Sequence, residues 1–158
     1  MQTLQRLIAV WLIAFTGIAM AQDSVPVNVG DKLPSNVRAL LIQEMQAVLT
    51  ASQAIMAGIV KGQHQLVAEK ADAIHNSFIL KQEMTPEDRK ALIAAVPAAF
   101  VQRDQAFHKL SADLAAAARA EDQAQERALF GQMVEACTGC HSRYAGARFP
   151  GLKSRELR

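Results

Sequence analysis

Cysteine, aromatic side chains and net charge are all scarce in this chain. Aromatics make up 5% of 158 residues, with one Trp and one Tyr, so something other than aromatic rings is expected to fill part of the core. A formal net charge of +2 gives nucleic-acid binding no compositional support. The apolar–polar alternation that marks strands is missing, and with it the βαβ setting of a thioredoxin-like thiol pair. There are only two cysteines, Cys137 and Cys140. They leave no second pair to complete a structural zinc site, and His64, His75 and His108 are isolated from one another. Past the N-terminus no apolar run approaches the roughly 20 residues that a bilayer span requires.

What is there begins with an export signal. MQTLQR carries one Arg and no acid, LIAVWLIAFTGI is apolar, and Ala19-Met20-Ala21 is a small-x-small cleavage site. Residues 1–21 are therefore expected to be a signal peptide cut before Gln22, leaving an exported chain with no membrane span. Residues 22–34, QDSVPVNVGDKLP, lack periodicity and read as a linker or an N-terminal arm. Beyond His141 five basic residues face one acid, whereas residues 22–141 carry 11 basic and 14 acidic residues. This basic end, most of it in a tail of residues 146–158, is either a solvated terminus or the match for an anionic group or docking partner.

Between arm and tail the pattern is helical throughout. Val37, Leu40, Leu41, Met45, Val48, Leu49, Ile55, Met56 and Ile59 are spaced for one helix face, and Gly62 closes the run. A second helix is expected over Gln63–Met84, with Leu66, Val67, Ile74, Phe78 and Ile79 inward. Thr85-Pro86-Glu87-Asp88 combines an N-cap, a first-turn proline and first-turn acids. Pro97 interrupts the helix it opens. An alanine-rich segment follows to Ala120, and Asp122 caps a last helix to about Tyr144. Four main helices with short connections predict an all-α, antiparallel four-helix bundle over residues 35–145.

The last helix carries ACTGCHSRY, residues 136–144. Cys137 and Cys140 are i, i+3 and Cys137 and His141 are i, i+4, so all three side chains lie on one side. Thioether bonds to two haem vinyl groups need thiols about one turn apart, and iron needs an imidazole over the same ring face. Cys-x-x-Cys-His meets both needs and is the attachment signature of a c-type haem. One covalent haem c with His141 as axial ligand is the reading. A second axial methionine raises the potential and suits electron transfer, whereas an apolar residue leaves iron open to small gases. In an antiparallel bundle the candidates for that position are Leu41, Ile42, Met45 and Leu49. Met45 has the thioether, against the alternative that it only packs. Met56 and Met133 are expected in the core, and His64 exposed. His75 and His108 read as structural, with His108 in reserve as a distal group. Arg38, Arg143 and Arg148 are candidate partners for haem propionates.

CTGCH near the C-terminus of an exported all-α chain resembles the class II cytochromes c: cytochrome c-prime and its low-spin, methionine-ligated relatives. VRALLIQEM and AAAARAED add weaker likeness, and the resemblance covers about Val37–Tyr144. It implies a non-enzymatic, periplasmic four-helix bundle with one covalent haem, often a homodimer. It further implies either electron transfer with a periplasmic redox partner protein or binding of nitric oxide or carbon monoxide. Two features depart from it. Ala145 stands where relatives commonly carry a basic residue, and ARFPGLKSRELR runs past the usual end. If Arg38 matches the arginine of the family's first helix, the distal position one turn on is Ile42, not Met45.

Overall fold

The structure is a computed structural model that describes residues 27–77 and 84–152. The expected signal peptide lies outside them, as do Phe78, Ile79 and residues 153–158. The described residues form helices α1 (Val29–Lys32), α2 (Ser35–Lys61), α3 (His64–Asn76), α4 (Pro86–Ala95), α5 (Ala98–Arg119) and α6 (Gln123–Tyr144). No strand occurs among them.

Local chemistry sets the boundaries. Gly62 ends α2 in the left-handed region at φ 66°, and its N–H donates to the Gly58 and Ile59 carbonyls. Thr85 Oγ1 accepts from the Asp88 N–H at 3.1 Å, with Pro86 in the first turn of α4. Asp122 Oδ1 accepts from the Gln125 N–H at 3.0 Å to start α6. These are the caps expected from the residue types. The second helix, expected to reach Met84, stops at Asn76. There Asn76 Nδ2 donates to the Asp72 carbonyl at 2.9 Å and Ser77 Oγ donates to the Ile74 carbonyl at 2.9 Å. Side chains that bind the preceding turn's carbonyls compete with helix propagation.

The long helices pack in a ring, α2 on α3, α3 on α5 and α5 on α6, while α6 meets α2 only sparsely. Short connections at Gly62–Gln63 and Ala120–Asp122 make sequential neighbours antiparallel. The bundle is closed at one end by small side chains, since Ala68, Ala71, Ala115, Ala117 and Ala118 are all buried with Val48, Ile55, Leu114 and Met133. A second apolar cluster at the other end joins Val29, Leu33, Val37, Leu92 and Tyr144, against which Leu41, Phe100 and Cys140 pack. Tyr144 and Phe100 meet edge to face at 5.2 Å. The arm is thus no loose linker, because Val29 and Leu33 are buried by it. On α2 the two clusters leave a level between Leu41 and Val48 that neither fills.

One expectation about the core fails. Met56, on the helical stripe by spacing, is 59% exposed while its neighbour Ile55 is fully buried. Adjacent residues point about 100° apart on a helix, and α2 turns Ile55 inward.

Gly58 shows how closely α2 and α3 approach. A Cβ there would stand 2.9 Å from Val67 Cγ2, a branched and fully buried side chain. Alanine ordinarily gains about 1 kcal/mol over glycine in a helix. Here overpacking of about 1–3 kcal/mol outweighs it, so Gly58→Ala is expected to lower the urea midpoint.

Candidate cofactor site

Cys137, Cys140 and His141 all fall within the last two turns of α6, so the helical spacing read from the sequence holds in the fold. All three border one cavity of about 270 Å³. Its other walls come from α2 (Met45, Val48, Leu49, Ser52) and α5 (Arg103, Asp104, Phe107), with Phe130, Met133 and Val134 from α6. It lies at the sparse α2–α6 seam. Leu49 and Val134 stand at it 59% and 47% exposed and give it an apolar rim.

Burial tunes the chemistry of the α6 residues. It pushes the Cys137 thiol above its ordinary value. It pushes Cys140 up to about 11, with the Asp104 carboxylate adding to the effect. Reactive redox cysteines have lowered values, so this pair is poorly suited to thiolate chemistry. Burial lowers His141, which keeps its imidazole neutral, the form that ligates a metal. Among the described residues no three His, Cys, Asp or Glu side chains converge as ligands for a bare metal ion.

The candidates for the second axial position are placed differently. Met45 borders the cavity from α2, as does Leu49, whereas Ile42 is half-buried beside Met45 without lining it. Leu41 packs into the second apolar cluster. Arg38 donates from Nη2 to the Leu33 carbonyl at 3.2 Å. Arg143 gives its backbone carbonyl to the Val27 N–H at 2.8 Å.

A family model described as Cytochrome C′ matches residues 37–145. The chain belongs to the cytochrome c′ family. No curated protein and no solved structure matches it. The match runs from the first turn of α2 to the residue that caps α6, so it spans the whole bundle. It makes the chain a c-type cytochrome, a haem protein, with the four-helix fold of the family. Proteins of this family are typically periplasmic, and among the described residues no helix is long and apolar enough to cross a membrane.

The cavity of this cytochrome fits a haem by its own residues. Two thiols and a neutral imidazole share one wall, the rest is largely apolar, and the exposed Leu49 and Val134 would be covered by an apolar macrocycle. Arg103 on α5 also borders it, whereas Arg38 does not. Sequence reasoning missed Arg103 because it belongs to no motif.

It also missed a charged cluster beside the cavity. Glu44, 2% exposed, sits on the α2 core stripe one residue before Met45. His108 Nε2 lies 3.6 Å from Glu44 Oε1 and 3.6 Å from Asp104 Oδ1, and its Nδ1–H donates to the Ile74 carbonyl at 2.7 Å. His75 Nδ1 donates in turn to the His108 carbonyl at 2.9 Å. His64, expected exposed, is half-buried with Nδ1 2.6 Å from Glu126 Oε1, itself fully buried on α6. The signal was an acid at a core position of α2 and of α6, Glu44 and Glu126, and a buried acid requires a partner.

Burial works to lower His108, but Asp104, the Ile74 carbonyl and Glu44 outweigh it and raise the value above 6.5. A raised histidine stabilises the fold fully below its ordinary value, and that contribution is lost as pH rises through the folded value. The stability difference between the parent and His108→Gln is therefore expected to shrink as pH climbs above the ordinary histidine value of about 6.5. Paired urea titrations at each pH read it.

Proposed function

We propose that the protein is a periplasmic electron carrier with one haem c, held through Cys137 and Cys140, with His141 and Met45 as axial ligands. The observation that carries this reading is that His141 and Met45 border one cavity from two different helices. Bound there, haem supplies a one-electron iron couple whose potential a methionine ligand raises. The protein's own work is to hold, orient and shield. Cys137 and Cys140 fix the group on α6, and Val48, Phe107, Phe130 and Met133 exclude water from it. Arg103 offers a guanidinium to a carboxylate at the rim. Burial raises both thiols, which disfavours thiolate chemistry there and is in keeping with a carrier.

A second reading rests on the wall around Met45. Val48 and Leu49 flank it on the cavity side, an apolar surface suited to a small neutral gas such as nitric oxide or carbon monoxide if Met45 only packs. A redox partner protein and a homodimer belong to the same proposal. Their support is the exposed apolar pair Met56 and Val60 on α2, 59% and 78% exposed, outside the cavity.

Two measurements test the reading. Mass spectrometry of protein made with intact cytochrome-maturation machinery is expected to show one porphyrin adduct per chain, lost in Cys137→Ala/Cys140→Ala. Absorption spectra are expected to show six-coordinate, low-spin iron that converts to a carbon monoxide-binding form in Met45→Ala, with a lower reduction potential. Rapid carbon monoxide binding by the parent, or an unchanged Met45→Ala spectrum, selects the gas-binding reading instead.

A further inference from the structure

The residues after α6 turn back onto the imidazole of His141. Ala145 caps the helix, and its carbonyl accepts from both the Arg148 N–H at 2.9 Å and the Phe149 N–H at 3.1 Å. The Leu152 N–H donates to the Phe149 carbonyl at 2.9 Å, which tightens the turn further. The Phe149 ring then lies flat on the His141 imidazole, centroids 4.4 Å apart and planes 10° from parallel. The same imidazole borders the cofactor cavity.

The turn does not hold itself alone. Asn28 Oδ1 accepts from the Ala147 N–H at 3.0 Å, and the Val27 N–H donates to the Arg143 carbonyl at 2.8 Å. Val27 and Asn28 immediately precede α1, whose Val29 is buried in the cluster that also holds Tyr144. A segment before the bundle and a segment after it are thus joined over the ligand histidine. Phe149 lies past the residues matched to the family, which end at 145.

We propose that Phe149 is a positioning residue for the axial ligand: it sets the rotation of the His141 ring about its bond to iron, and Asn28 holds it there. The inference rests on the reading of His141 as the ligand and is independent of what occupies the opposite side. A histidine side chain in a helix has a few χ1 wells and a broad χ2, so α6 alone does not fix the plane of its ring. Two aromatic rings stacked in parallel remove the ring-flipping freedom that the helix leaves. A leucine at 149 would keep the apolar contact and lose the plane.

The test uses the ferric haem-loaded protein with cyanide added, which places His141 opposite cyanide whether or not Met45 is a ligand. In that state the haem-methyl proton shifts report the orientation of the histidine plane. Phe149→Leu is expected to shift the haem-methyl pattern, with one porphyrin per chain and helical content unchanged. Phe149→Tyr is expected to keep the parental pattern, and Asn28→Ala to move it in the direction of Phe149→Leu. A parental pattern in Phe149→Leu, or a pattern in Phe149→Tyr displaced as far as in Phe149→Leu, overturns the proposal. Failure to find a porphyrin adduct in the parent would instead reject the haem reading, and this inference with it.

Discussion

The structure depends on a gap being kept open beside one turn of one helix. Cys137, Cys140 and His141 are brought to one side by the geometry of α6 alone, but side chains that share a side are of use only if something lies in front of them. In a bundle whose helices all packed equally, that side would be filled by its neighbour. Here the small residues of α3 and α5 close one end, where Ala71, Ala115 and Ala118 are fully or nearly fully buried. Val29, Leu33 and Leu92 plug the other. Between the two clusters α2 and α6 stay apart, and the cavity occupies the seam. On the proposed reading, haem bound there would take the place that aromatic side chains otherwise fill, in keeping with their scarcity.

The same level of the bundle holds the buried charges. Glu44, Asp104 and His108 stand together at the edge of the cavity, where an apolar cluster would have packed more simply. Buried ion pairs contribute little net stability because desolvation offsets most of the attraction, and removing one partner is costly. The gain is in arrangement. A histidine bracketed by acids from two helices, and bonded to a carbonyl of a third, fixes how α2, α3 and α5 meet next to the site. His64 and Glu126 do the same for α3 and α6 at the opposite end.

The ends of the described chain matter more than their composition indicates. Residues 22–34 have no periodicity and read as a linker or arm, and the mainly basic tail reads as a solvated end or a match for an anionic group. In the fold Val29 and Leu33 complete a core cluster, and Asn28 binds the turn that carries Phe149. The contact between them spans 119 positions in sequence, a pairing that no local pattern could reveal.

Helix content, caps and the shared side of Cys137, Cys140 and His141 were legible because each depends on residues within a few positions of one another. Thr85, Asp122 and Gly62 act on their own turns, and Cys137, Cys140 and His141 share one. The sequence by itself therefore determined four amphipathic helices and a Cys-x-x-Cys-His turn on the last. The length of α3 was misjudged where Asn76 and Ser77 captured backbone carbonyls, and Met56 faced outward although its spacing placed it on the stripe. Only the tertiary structure decided which α2 residues reach the cavity, which acids and histidines pair, and what lies on the His141 imidazole. Those outcomes turn on the relative rotation and separation of helices. Side-chain packing summed over the whole bundle sets them, and no single segment encodes them.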